Sequence, residues 1–318
     1  MKVLVTGGCG FIGSNLANSL HDKGWDVDVV DDLSNGHLRF LNADIQGKNL
    51  HVSDFSSDQS LEKVKSGLYE YVFHLAANPR VSYSVENPYL TNETNVTKTL
   101  KLLDACREGK VRRVIFASSS SVYGASDIFP TSESQKKDPK SPYALQKSII
   151  EEYLRLYSDL YGLDSVCLRF FNVFGPNQLG GSPYSTAVSS WLTSIKKGIS
   201  MRSDGDGTQT RDMCYVDNVV DACIRAAECI GTLGAETFNV ACGTRTSNKE
   251  ILELLKSKYP YAEHYDAPWR LGDVMHTQAD LTNIGDVLGY KPIVDFKEGL
   301  DRTVAWYEEN WHAIKEKC

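Results

Sequence analysis

Tyr143-Ala144-Leu145-Gln146-Lys147 follows Ser141-Pro142, an N-cap and first-turn pair that starts a helix. Tyr143 and Lys147 then stand at i and i+4, on one face and within mutual reach. A phenol titrates near 10 and is a poor base at neutral pH, but an adjacent ammonium favours phenolate and lowers that value. The spacing alone is common and usually marks a tyrosine packed on a lysine stem. What changes its meaning is the upstream run Ala117-Ser118-Ser119-Ser120-Ser121-Val122-Tyr123-Gly124, which follows a strand-like stretch and gathers hydroxyls where strand meets loop. Hydroxyl, phenol and ammonium together can move a proton onto or off a substrate oxygen.

A second cluster binds rather than reacts. Thr6-Gly7-Gly8-Cys9-Gly10-Phe11-Ile12-Gly13 lies between a first strand and a first helix, with Gly7, Gly10 and Gly13 three residues apart. Glycines at this spacing permit a tight turn and let backbone approach a pyrophosphate at a helix N-terminus. Phe11 and Ile12 belong to the same cofactor set. Asp31 ends the second strand, 18 residues after Gly13. A carboxylate there binds both ribose hydroxyls of NAD and repels the 2'-phosphate of NADP. Asp32 is counted beside it, although a solvated loop carboxylate is its plainer reading. His74 sits inside an apolar strand and reads as structural, and Cys9 as filler between glycines.

These groups need a scaffold. Short apolar runs, Val3 to Val5, Val27 to Val30, Tyr71 to Phe73, Val114 to Ala117 and Val166 to Leu168, alternate with helical patterns such as Ile12, Leu16 and Leu20. Near-continuous apolar strands separated by helices predict an α/β fold with a doubly wound parallel sheet, binding ligands at the strands' carboxyl ends. After Leu168 the regularity fades. We expect a NAD-binding domain over 1–168, joined by about 212–240, and a smaller C-terminal substrate domain over 169–211 and 241–318. Lys249 to Leu255 and Leu300 to Trp311 read as helices.

The chain has 318 residues with 42% apolar and 24% charged, ordinary globular usage that excludes collagen, coiled coil and wholesale disorder. Lys and Arg number 34 against 41 Asp and Glu, and no basic cluster offers a face for nucleic acid. No stretch approaches the roughly 20 apolar residues of a membrane span. The eight cysteines contain no C-x-x-C pair and no His at metal-ligand spacing, so a reduced, cytoplasmic, metal-free protein is expected. The sequons at Asn92 and Asn95 are short enough to occur by chance.

The glycine loop, Val72-Phe73-His74-Leu75-Ala76-Ala77, the serine run, Tyr143 with Lys147, and Arg169-Phe170-Phe171-Asn172 together resemble the extended short-chain dehydrogenase/reductase family, and within it the UDP-sugar 4-epimerases. Gly205 to Asp212, Tyr215-Val216-Asp217-Asn218 and Arg270-Leu271-Gly272-Asp273-Val274 extend the resemblance over nearly the whole chain. It implies that Ser119 bonds the reacting sugar oxygen, that Tyr143 is the base, and that Lys147 holds the nicotinamide ribose while lowering the Tyr143 pKa. Asp31, Asn35 and Gly36 would lie by the adenosine ribose, Asp54 and Phe55 by the adenine, and Leu75, Ala76 and Ala77 along the cofactor. Ser118 and Phe170 complete that set. Asn172, Arg211, Arg270 and Asp273 would hold the nucleotide sugar, and Thr277 would meet the substituent at sugar C2, where a small residue admits an acetamido group.

The implied reaction oxidises C4 to a ketone with NAD, turns the sugar, and returns the hydride to its other face. A UDP-hexose is the expected substrate, UDP-GlcNAc/UDP-GalNAc or UDP-glucose/UDP-galactose. The alternatives are a UDP-glucuronate 4-epimerase, another nucleotide-sugar epimerase or reductase, and, from a different class, a non-catalytic dinucleotide sensor. Two departures matter. Related dehydratases carry Asp-Glu where this chain has Ser120 and Ser121, so elimination of water lacks its acid. Phe170 replaces a frequent tyrosine. The family also implies a homodimer through helices near Asn95 to Arg107 and Tyr143 to Tyr161.

Overall fold

A computed structural model describes residues 1–181, 185–269 and 274–318. In chain order its strands are β1 (Lys2–Thr6), β2 (Asp26–Asp31), β3 (Leu50–Val52), β4 (Tyr71–His74), β5 (Arg113–Ser119), β6 (Ser165–Phe170), β7 (Asn172–Phe174), β8 (Met201–Asp204), β9 (Thr210–Arg211), β10 (Met213–Tyr215), β11 (Glu236–Val240), β12 (Thr246–Ser247) and β13 (His264–Ala267). Seven of them make one sheet in the order β11-β6-β5-β4-β1-β2-β3, with every neighbouring pair parallel. This is the doubly wound α/β sheet that the alternating pattern predicts.

Burial on both faces explains why the strands read as continuous apolar runs. Val3, Val5, Val27 and Val29 pack to one side, with Leu16 and Leu20 of the helix Phe11–Asp22 and with Val219 and Ala226 of the helix Val216–Glu228. Leu4, Val30, Val72 and Val114 pack to the other, against Leu102 of Lys98–Glu108 and Ile150 and Leu154 of Pro142–Tyr161. A slip of one residue would exchange these two sets, so packing pins the register.

The chain winds outward from β1 to β2 and β3, then crosses to β4 on β1's other side. Connections therefore diverge above β1 and β4, and the crevice between them is where such sheets hold ligands. The glycine loop leaves β1 there, Leu75 leaves β4, and Ser119 ends β5 on the same edge.

Beyond β6 the pattern changes. β7 pairs with β10 and β8 with β13 in parallel, while β9 pairs with β12 antiparallel. These strands, like β3, are two to four residues long. Apart from the three residues of β10 they carry no apolar run, and all are too short to stand out in the sequence. The expected domain boundary at 168 falls within β6, which continues to Phe170. The helix expected near Asn95 includes a wide π turn at Glu93–Thr97 before Lys98–Glu108.

Candidate active site

The cradle is built first by backbone. Gly7 has φ +69°, a conformation glycine adopts without penalty, and a Cβ there would stand 2.8 Å from the Ala76 backbone. A Cβ on Gly13 would reach within 2.1 Å of the Gly7 carbonyl oxygen, so helix and turn touch only because it is absent. Gly10 is the N-cap of Phe11–Asp22 and supplies no capping side chain, leaving first-turn amides, Phe11 and Ile12 among them, for an anion. Asp31 is buried at the tip of β2. Its Oδ2 accepts from the Cys9 amide at 2.9 Å and its Oδ1 from the Leu33 amide at 2.8 Å. Burial raises its pKa against those two bonds. Each oxygen keeps a further lone pair for a ribose hydroxyl, so the donor set fits a dinucleotide.

Other expected cofactor residues are dispersed along this edge. Asn35 and Gly36 follow Asp31 in an exposed-to-half-buried loop, and a Cβ on Gly36 would stand 2.7 Å from Asp31 Oδ1. Asp32 is exposed and accepts from the Ser34 amide at 2.9 Å, a local turn bond. Asp54 accepts from Ser56 and pairs with Lys98, while Phe55 is buried with its ring 5.0 Å from His74. Leu75 donates to the Thr6 carbonyl, Ala76 to the Thr6 hydroxyl, and Ala77 is half-buried beside them. The thiol of Cys9 is pushed up to about 12 by burial and by Asp31.

The residues expected to transfer the proton meet at the carboxyl end of β5. Ser141 caps the helix Pro142–Tyr161 by accepting from the Ala144 amide at 3.2 Å, which fixes Tyr143 in the first turn. Tyr143 is buried, and the Ser119 hydroxyl lies close enough to act on its phenol. Burial, opposed by the Ser119 hydroxyl, pushes the phenol up to about 12. Lys147 Nζ donates to the Ala117 carbonyl at 2.7 Å and lies 4.6 Å over the Phe116 ring, 5.9 Å from the Tyr143 ring centroid. Burial, opposed by the charge of Glu151, brings its pKa down to about 7. The expectation that Lys147 depresses the phenol is therefore not met by the chain alone. Desolvation outweighs it, and Ser119 is the group that pulls the value down.

Ser118 behaves differently from its neighbour. Successive strand residues face opposite sides, and its hydroxyl donates to Glu151 Oε1 at 2.6 Å in the interior. Arg169 holds the same carboxylate with two bonds, Nε to Oε1 at 2.9 Å and Nη2 to Oε2 at 2.6 Å, and Lys137 adds a contact at 3.3 Å. Burial would raise the Glu151 pKa, but the Arg169 bonds and charge, with Ser118 and Lys137, hold it lowered. Arg169 also donates to the Tyr123 hydroxyl, which donates to Asn239 Oδ1. Phe170 is buried at the end of β6.

Among the residues expected to meet the sugar, Thr277 Oγ1 accepts from the Asp212 amide at 3.0 Å and reaches Asn172 Oδ1 at 3.5 Å. Thr277 is thus a structural tie as well as a half-buried neighbour of Asn172. Arg211 donates from Nη1 to the carbonyls of Thr210 and Met275. The Asp212 carboxylate turns inward onto the amides of Cys242, Gly243 and Ala279, and burial pushes it up to about 6 against those bonds. Arg270 and Asp273 lie outside the described residues. Among the described residues no cluster of His, Cys, Asp and Glu is placed to hold a metal, and no helix is long and apolar enough to cross a membrane.

Residues 3–241 match the sequence profile of the NAD dependent epimerase/dehydratase family. The chain belongs to that family. Its relatives include the UDP-glucose 4-epimerase of Mycolicibacterium smegmatis, 37% identical over 96% of this chain and 98% of that protein. The structure of UDP-N-acetylglucosamine 4-epimerase from Methanobrevibacter ruminantium, in complex with UDP-N-acetylmuramic acid, superposes with a TM-score of 0.91 at 38% identity, covering 97% of this chain and 98% of that one. UDP-glucose 4-epimerase from Thermotoga maritima, with UDP-glucose, gives 0.92 at 35% identity over 98% of this chain and 100% of the other.

Seen as a member of this epimerase/dehydratase family, the chain contains site residues that sequence reasoning missed. Glu151 stands four residues after Lys147 and eight after Tyr143, on their helix face, and Arg169 is a charge at the end of an otherwise apolar strand. Either oddity could have flagged the pair. His74 is buried between hydroxyls, Nδ1 2.7 Å from Thr6 and Nε2 2.9 Å from Thr99, and burial holds it down at about 3. That matches its structural reading.

Proposed function

We propose that this chain is an NAD-dependent UDP-hexose 4-epimerase, interconverting UDP-GlcNAc with UDP-GalNAc, UDP-glucose with UDP-galactose, or both. The observation that carries the reading is a buried Tyr143 with Ser119 and Lys147 at the end of β5, beside a glycine cradle with an Asp31 carboxylate. Bound NAD supplies a reversible hydride acceptor whose positive charge also favours the Tyr143 phenolate. Gly7, Gly10, Phe11, Ile12, Gly13 and Asp31 would hold it, with Lys147 at its nicotinamide ribose.

In this reading Tyr143 takes the proton of the sugar C4 hydroxyl while Ser119 orients that oxygen. After the sugar has turned, the same phenol returns the proton, so one acid-base couple serves both directions. Asn172, Arg211, Arg270 and Asp273 grip the nucleotide, a remote hold that keeps the sugar in place while it turns. Arginine suits a diphosphate because its planar fork makes paired, charge-assisted bonds. The half-buried Thr277 leaves room for an acetamido group at C2. Ser120 and Ser121 offer no carboxyl acid, which disfavours dehydration.

The reading includes a cytoplasmic homodimer. Leu145, Tyr153, Leu156, Leu160 and Tyr161 are exposed along the Pro142–Tyr161 helix, an apolar strip that a second copy would cover. The deciding experiment incubates NAD-loaded protein separately with UDP-GlcNAc, UDP-glucose and UDP-glucuronate and separates the products. Four-epimers of the first two are expected. No epimer from any of the three would overturn the reading.

A further inference from the structure

The Glu151 carboxylate joins the helix that carries Tyr143 and Lys147 to both strands beneath it. Its side chain and that of Arg169 are each only 4% exposed. Ser118, which bonds it, precedes Ser119 in β5. Arg169, which bonds it twice, precedes Phe170 in β6. Through Tyr123 and Asn239 the chain of bonds continues to β11, where the Asn239 amide donates to Glu133 Oε1 at 2.7 Å. Sliding the helix along the sheet edge would break all of Glu151's bonds together.

We propose that the buried Glu151–Arg169 pair is a positioning element of the site, holding the helix register that sets Tyr143 against Ser119 and placing a carboxylate one turn from the Lys147 ammonium. The inference rests on the epimerase reading for what is positioned, and on the hydrogen-bond geometry for how. A buried ion pair is weak evidence of stabilisation in itself, since apolar replacement is often neutral or stabilising. Here one partner, Ser118, adjoins Ser119, and Glu151 itself shares a helix face with Lys147. The titratable groups facing Lys147 are Tyr143 and Glu151 on its own helix, Cys167 on β6 and His74 on β4. Of these Glu151 carries the negative charge, because burial keeps the Cys167 thiol protonated and His74 neutral.

The test measures NAD affinity by calorimetry from pH 6 to 9, and kcat and KM for UDP-sugar turnover over the same range. It compares wild type, Glu151→Gln, and the double variant Glu151→Gln with Arg169→Met, which leaves no unpaired charge. Loss of the carboxylate lowers the Lys147 pKa, so the alkaline fall in NAD affinity should move to lower pH by about one unit, a tenfold loss at the affected pH. Turnover should fall through kcat with KM little changed. A folded double variant with wild-type pH dependence and kcat would overturn the proposal, and so would a double variant that no longer folds, since the pair would then serve stability alone. If wild type binds NAD but turns over no UDP-sugar, the epimerase reading fails while the affinity profiles still decide the role of Glu151.

Discussion

β5 and β6 carry a buried arginine–carboxylate pair at each end, and the two pairs spend their bonds differently. At the amino end Arg113 holds Asp164 through Nε at 2.6 Å, and its remaining nitrogens reach the carbonyls of Ala226, Cys229 and Gly231. Asp164 in turn accepts from the amides of Leu233 and Gly234. Almost every partner is main chain at the end of Val216–Glu228 or in the loop into β11. At the carboxyl end, Arg169 and Glu151 bond the side chains of Ser118, Tyr123 and Lys137, and Ser118 adjoins Ser119 while Glu151 stands one turn from Lys147. The same chemistry satisfies backbone below and, in the proposed reading, orients reacting groups above. In a parallel sheet this division is expected, because ligands bind at the carboxyl edge and the opposite edge is free to serve the fold.

The sharpest test of the upper end is Tyr143→Phe. The ring still packs, so NAD should stay bound while kcat falls by about 10² to 10⁴. Steady-state assay of the NAD-loaded variant decides it, and retention of more than about a tenth of the wild-type rate would remove Tyr143 from the proton-transfer role. The lower end should respond in the opposite way. Asp164→Asn leaves the Arg113 charge buried without its partner, and denaturant unfolding should show a loss of about 3 to 5 kcal/mol. Any folded fraction should keep the wild-type pH profile of turnover. A changed profile would erase the contrast between the two ends.

A smaller effect refines the upper end from its substrate side. Thr277→Tyr adds bulk beside Asn172, and overpacking a fitted site costs about 1 to 3 kcal/mol. Turnover of UDP-GlcNAc should be lost while UDP-glucose is spared. Equal loss of both, or retained UDP-GlcNAc turnover, would mean that Thr277 acts only as the tie to Asp212.

A further effect, spread over pH, concerns His74, whose strand partner Phe116 lies midway along β5. Its folded pKa, about 3, lies below the ordinary value near 6.5, so the unfolded chain takes a proton that the folded one refuses. Stability should therefore fall as pH drops through 6.5, by about 1.4 kcal/mol per pH unit until the folded value is approached. His74→Gln should flatten this slope relative to wild type in unfolding curves at pH 7, 6 and 5. Unchanged slopes would show that His74 is not held neutral.

Much of this protein was legible without coordinates. Apolar runs of strand length alternating with helical periods determine a doubly wound sheet, because a parallel strand must bury both faces. Gly7, Gly10, Gly13 and Asp31 specify a cradle through backbone conformation and one charge, both local properties. Ser141-Pro142 starts a helix, and helix geometry alone puts Tyr143 and Lys147 on one face. The polar pairings across the sheet edge were not legible. Ser118 and Ser119 look alike in sequence, yet strand alternation sends one hydroxyl to Glu151 and the other to Tyr143. Only the packed helix shows which is which. The protonation of the site was decided the same way, since desolvation by neighbours distant in sequence, and not the Tyr143–Lys147 spacing, raises the phenol and lowers the ammonium. Local conformation follows from residue type and spacing; burial and cross-strand bonds arise only when distant segments meet.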